Sequence, residues 1–158
     1  MSFRTAYISM RRLFIIRKDL NLHPGKLAAM VGHCAECYWM NLLTHGDVRD
    51  NEDSRPTKTV SVEIPKEIWD GYINDIFTKT ICEAKNLNHL MKVVEVANGL
   101  GLEEGTDYGF IDDVCKTDLT PEFTDENGVG RCRVGIWFKP LPDDVSRTLS
   151  RKYQLYKD

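Results

Sequence analysis

Two stretches of the 158-residue chain, and one cysteine within the second, hold residues whose types and spacing could do chemistry. The first is His23-Pro24-Gly25-Lys26-Leu27-Ala28-Ala29-Met30-Val31-Gly32-His33-Cys34, where Gly-Lys stands at the start of a helical pattern. A helix start attracts anions through its free backbone N–H groups and its dipole, and Lys26 adds a full charge. The stretch is not a Walker A loop, because the first Gly and the Ser or Thr after the Lys are missing. Lys26, Met30, His33 and Cys37 follow at offsets of four, three and four, so helical geometry puts them on one face and lets Lys26 and His33 look toward one cleft. The competing reading of His33 is a packing residue bonded to a carbonyl. His33 and Cys37 also have the spacing of two metal ligands, with Cys34 adjacent. No second Cys/His cluster supplies the remaining ligands, so zinc is not expected, and no cofactor is called for.

The second stretch is Phe110-Ile111-Asp112-Asp113-Val114-Cys115-Lys116-Thr117-Asp118-Leu119-Thr120-Pro121, a β-like run that ends in paired acids. Strand ends in α/β sheets are favoured ligand sites, and a carboxylate there could meet Lys26. A polar turn is the alternative. The third feature is Cys115, which as a nucleophile would need a neighbouring base or a lowered pKa. Nothing adjacent in sequence supplies either.

The elements that must position these residues follow from periodicity. Leu13-Phe14-Ile15-Ile16 reads as a strand buried on both faces. Pro24 suits a first helical turn, and Leu27, Val31, Ala35, Tyr38 and Leu42 continue a helix from Lys26 to about Thr44. Residues 46–66 read as a surface insertion carrying one strand, Thr59 to Ile64. A short helix is expected over Glu67 to Phe77, a strand over Thr78 to Ala84, and a helix capped by Asn86 or Asn88 and ended by Gly99 and Gly101. Strands over Tyr108 to Val114 and Arg133 to Phe138 flank a polar loop at 122–130, and Asp143 or Asp144 caps a last helix to Ser150. The order predicts a three-layer α/β/α protein: a small mixed sheet of about four strands with helices on both faces.

With 42% hydrophobic residues, the chain suits one domain over residues 1–158. No apolar run reaches membrane-spanning length, and Met1 to Tyr7 lacks the layout of a secretory signal. The five cysteines are odd in number and scattered, which predicts reduced thiols and a cytoplasmic protein. Net charge is -3, against an indiscriminate nucleic-acid binder. Basic residues nevertheless gather at the two ends (Arg4, Arg11, Arg12, Arg17 and Lys18; Arg131, Arg133, Lys139, Arg147, Arg151, Lys152 and Lys157). If the ends meet, they form either a basic face for a polyanion or an ordinary solvated surface.

Taken together, the motifs resemble the type 2 peptidyl-tRNA hydrolase family. That family has a basic-Asp-Leu strand ending followed by Gly-Lys-Xaa-Ala-Ala-Gln-Cys-Xaa-His, matched by Arg17-Lys18-Asp19-Leu20 and Gly25 to His33. Its loop Gln-Asp-Ala-Gly-Arg-Thr-Gln-Ile-Ala-Pro is matched by Asp112 to Pro121, and Trp69 before a strand and the final strand ending at Pro140 fall in order. The resemblance covers most of Arg11 to Tyr156, with 46–66 and 122–130 as apparent insertions. It implies hydrolysis of the ester between a peptide and the terminal ribose of tRNA, without a metal. It also implies Lys26, Asp113 and Thr117 as catalytic residues, with His33, Lys116, Arg17 and Lys18 toward the substrate. Met30 for Gln, Cys115 for Gly, Lys116 for Arg and Asp118 for Gln depart from the pattern. These departures also fit a binding module that docks tRNA or a protein without turnover, or a different hydrolase or transferase using Cys115. A homodimer is compatible with the sequence.

Overall fold

The computed structural model describes residues 7–158; Arg4, counted above in the basic cluster, lies outside the described residues. Four long strands make the sheet: β1 (Met10–Arg17), β4 (Lys79–Ala84), β5 (Tyr108–Asp113) and β7 (Gly130–Phe138). Their order is β5-β7-β1-β4, with β1 and β4 parallel and β7 antiparallel to both of its neighbours. Three two-residue strands extend it: β6 (Phe123–Thr124) on β7, β8 (Leu141–Pro142) on β1 and β9 (Gln154–Leu155) on β4.

Alternation along β1 sorts the core into two layers, as a period of two requires. Phe14 and Ile16 face helix α1 (Pro24–Thr44) and pack with its Met30, Cys34 and Tyr38. Leu13 and Ile15 face the other way, onto Leu90, Val93 and Ala97 of α3 (Leu87–Gly99) and Leu149 of α4 (Asp143–Ser150). The mixed α/β fold with helices on both faces is as the pattern predicted. So is the α3 cap, where the Asn86 side chain accepts the His89 N–H at 2.9 Å.

Beside the site, β7 carries one residue more than β5. Ile111 pairs with Gly135 but Asp112 pairs with Arg133, which leaves Val134 as a bulge. The close approach there needs glycine: a Cβ on Gly135 would lie 2.7 Å from the Ile15 carbonyl oxygen.

Several expectations are corrected. Residues 46–66 hold a separate hairpin, β2 (Asp47–Asn51) with β3 (Thr57–Ser61), rather than one strand. Aspartate and asparagine hide β2, and cross-strand pairs such as Asn51 Nδ2 to Thr59 Oγ1 at 2.9 Å hold it. The helix expected over Glu67 to Phe77 is one turn, α2 (Lys66–Ile68), running into a π-helical turn (Trp69–Ile73). Residues 122–130 form a tight hairpin tied by Asp125, whose carboxylate accepts the Asn127 and Val129 N–H groups at 2.9 Å each. At α4 neither aspartate caps: Pro142 holds the cap position, and Asp143 pairs with Arg11 at 2.9 Å.

The two basic ends do meet, as β1 beside β7, but several of their charges are already taken up by internal partners. Arg12 is fully buried on the carbonyls of Cys34, Ala35 and Phe138. Arg131 pairs with Asp125, Arg133 with Asp112 and Lys139 with Asp107. Much of the charge that looked available in sequence is spent inside the molecule.

Candidate active site

Helix α1 begins with Pro24 as its first residue, and no side chain caps its start, so its first N–H groups stay open. Lys26 sits in that first turn. Its Nζ donates to Asp113 Oδ1 at 2.9 Å, an ion pair between residues 87 apart in sequence. Asp113 is the last residue of β5, and its other oxygen, Oδ2, accepts the Cys115 N–H at 3.0 Å. The pair is largely shielded, with side-chain exposures of 21% for Lys26 and 10% for Asp113.

Burial by itself would raise the Asp113 pKa. The Lys26 hydrogen bond, the Cys115 N–H and the charges of Lys26 and His33 outweigh it, so the carboxyl titrates below its ordinary value. Asp113 is therefore ionised at neutral pH. It is a good acceptor and orienter but a weak proton acceptor. Cys115 is the opposite case: burial and the acids Asp113 and Glu122 push its thiol up, which removes the thiolate that a nucleophile needs.

His33 is exposed two turns along α1 and lines a cavity of about 390 Å³ with Glu36, Cys37, Met40, Phe110, Ile111 and Asp112. Met30 does not share this face. It is buried against the sheet, 3% exposed, because the helix turns that position into the core. Lys116 is exposed and free of ion pairs among the described residues, just beyond Asp113. Thr117 is exposed as well, and no hydrogen bond joins its hydroxyl to another described residue. Lys26 and Asp113 are thus brought together, His33 is near enough for its charge to act on Asp113, and Thr117 is bonded to neither.

The expectation that Arg17 faces the substrate is corrected. Arg17 is 4% exposed, and its guanidinium is fully used: Nε and Nη2 bind Asp19, and Nη1 binds Glu122 and the Arg133 carbonyl. It ties the end of β1 to the loop that follows β5, a structural task. Lys18 Nζ donates to the Lys157 carbonyl and lies 4.5 Å from the Tyr156 ring centre, so it fastens the C-terminal segment. Sequence reasoning missed Glu122, which receives Arg17, the Cys132 thiol and the Arg133 N–H. It lies in what looked like an insertion, so no local pattern marked it. Among the described residues no group of three or more His, Cys, Asp and Glu side chains converges as a metal site, and no helix is long and apolar enough to cross a membrane.

A family model for peptidyl-tRNA hydrolase PTH2 matches residues 10–156, from the first residue of β1 to one residue past β9. The chain belongs to the PTH2 family. No individual curated protein matches it.

Two departures from the PTH2 pattern now have a physical reading. Cys115, which the resemblance sets against a glycine, has φ +55°, left-handed backbone that costs a residue with a Cβ about 1–2 kcal/mol. In this left-handed turn the Cys115 N–H points at Asp113 Oδ2, 3.0 Å away. Met30 replaces an amide by an apolar side chain at a site enclosed by core residues, a change that burial favours.

Proposed function

We propose that this member of the PTH2 family hydrolyses the ester joining a peptide to the 3′-terminal ribose of tRNA. The observation that carries the reading is the shielded Lys26–Asp113 pair at an uncapped helix start. Ester hydrolysis adds water across the acyl–oxygen bond, so the site must aim the water and stabilise the oxyanion. Asp113, kept ionised by Lys26, accepts a hydrogen bond from the water and so turns a lone pair of the water oxygen toward the acyl carbon. Lys26 and the first N–H groups of α1 face the charge that develops on the carbonyl oxygen, or the phosphate next to it. The water's hydroxyl goes to the acyl carbon, and its proton ends on the departing ribose oxygen. His33 lines the same cleft, exposed Lys116 meets the RNA backbone, and Thr117 closes in by donating a positioning hydrogen bond once substrate is bound. The reaction belongs to translation and to the cytoplasm, where peptidyl-tRNA is made.

The exposed, unbonded Thr117 and the neighbouring Asp118 favour a second reading, a module that binds tRNA without cleaving it. Release of peptide from purified peptidyl-tRNA, by the intact chain and by Asp113→Asn, separates the two. The hydrolase releases peptide, and the variant does so roughly 10²–10³ times more slowly. Salt-sensitive tRNA binding with no release by the intact chain would establish the module instead.

A further inference from the structure

Strand β5 is an edge of the sheet, paired only with β7. The Lys139 N–H donates to the Asp107 carbonyl at 2.8 Å, flanking the Tyr108–Phe138 pair. By antiparallel alternation, Tyr108 and Phe110 then turn their backbone N–H and C=O away from β7. The chain itself occupies the Tyr108 position: the Tyr108 N–H donates to Glu103 O at 3.4 Å and its carbonyl accepts the Gly105 N–H at 2.7 Å, a parallel bridge. Gly105, at φ +89°, then leads the chain away. Phe110 follows with its N–H and C=O unpaired among the described residues, and Asp113 lies three residues further on.

This bare edge opens on a groove between β5 and α1. Two cavities of about 520 and 390 Å³ adjoin there and share Cys37, Met40, Phe110 and Asp112. Exposed Glu36 and Glu104 line it without ion pairs among the described residues, and the Asp112 charge is balanced by Arg133. Acids on the walls repel phosphates, so RNA is the wrong occupant. One unpaired residue is also too short an edge for strand docking by a folded partner.

We infer that the groove is the subsite for the peptide of peptidyl-tRNA, bound as a short strand parallel to β5 with its C-terminal end at Asp113. The inference rests on the hydrolase reading. The parallel direction is the one the 103–105 segment already adopts on this edge. At ~3.3 Å per residue, Phe110 stands ~10 Å from the ester, about three peptide residues. In parallel pairing its carbonyl receives the N–H of the peptide's penultimate residue, and its N–H reaches the carbonyl of the fourth residue from the ester.

The test uses the full chain and a tetrapeptide joined to 3′-amino-3′-deoxyadenosine by an amide, which hydrolysis leaves intact. Amide NMR should show shifts at Gly109, Phe110 and Ile111 and slowed exchange of the Phe110 N–H. An acetylated single-residue analogue should move only the surroundings of Lys26 and Lys116. N-methylation of the penultimate residue should weaken binding about tenfold, one lost hydrogen bond plus a clash. Equal affinity for the long and short analogues, an unmoved Phe110, or no binding would overturn the subsite. Because the probe cannot be cleaved, Phe110 engagement without peptide release from peptidyl-tRNA would retain the subsite and sink the hydrolase.

Discussion

Consider the replacement of Asp113 by asparagine. Its two carboxylate oxygens each accept a hydrogen bond, from Lys26 at 2.9 Å and from the Cys115 N–H at 3.0 Å. An amide has one acceptor oxygen, so its NH2 must face one of two donors. The variant also loses a charge-assisted bond, worth about 1.5–3 kcal/mol, and leaves the Lys26 ammonium shielded without a partner. A loss near 2 kcal/mol would lower the melting temperature by about 4–8 °C in a chain of this size. Activity should fall further, by roughly 10²–10³ in kcat/KM, since water and oxyanion are both aimed by this pair. Lys26→Ala should cost a similar factor. The decisive measurement is the double variant in a peptide-release assay on purified peptidyl-tRNA. Two groups acting as one unit give a double variant scarcely slower than either single one. Singles that each retain activity within about threefold of the intact chain, or whose losses multiply in the double variant, would refute the shared role.

Acidity offers a second check. The Asp113 pKa is depressed by folding, so its contribution is present above the unfolded value, about 3.9, and is lost as pH falls through the lower folded value. The kcat/KM profile should therefore show no acid limb from Asp113 above about pH 4; a limb near pH 6 that Asp113→Asn removes would contradict this. Cys115→Gly relieves left-handed strain at a cost in chain entropy of about 0.5–1 kcal/mol, so thermal melting should show a net gain of at most about 1.5 kcal/mol with activity preserved. Loss of turnover in that variant would instead give the thiol a role. Arg17→Met should destabilise by about 2 kcal/mol in urea unfolding, discounted because Asp19 and Glu122 are partly exposed and water can take them over. Arg17→Lys, which lacks the planar fork, should rescue little of it, and an unchanged midpoint in either variant would remove the structural role assigned to Arg17.

What could be read from the sequence was whatever neighbours along the chain decide. The Leu27 to Leu42 stripe and Pro24 specify α1, Asn86 specifies the start of α3, and the unbroken apolar run Leu13 to Ile16 specifies a strand covered on both faces. Each is a matter of spacing and local hydrogen bonding. The hairpin at residues 47–61 escaped because its stability lies in cross-strand pairs, which polar residues do not advertise. Linked motifs in the right order also reached the family, since each motif constrains a different part of one cleft.

Tertiary structure decided the rest, through contacts between residues far apart in sequence. Arg17 and Lys26 look equally available as cations on the page. One is buried on Asp19 and Glu122, 105 residues from the latter, and the other meets Asp113 in a shielded cleft. Periodicity alone put Met30 on the Lys26 face, where packing turned it inward. The bare edge at Phe110 was equally invisible, because which backbone groups lack partners depends on strand order and register. The chain's spacing determines its elements and names the residues able to act; only the fold determines which of their charges and hydrogen bonds are already taken.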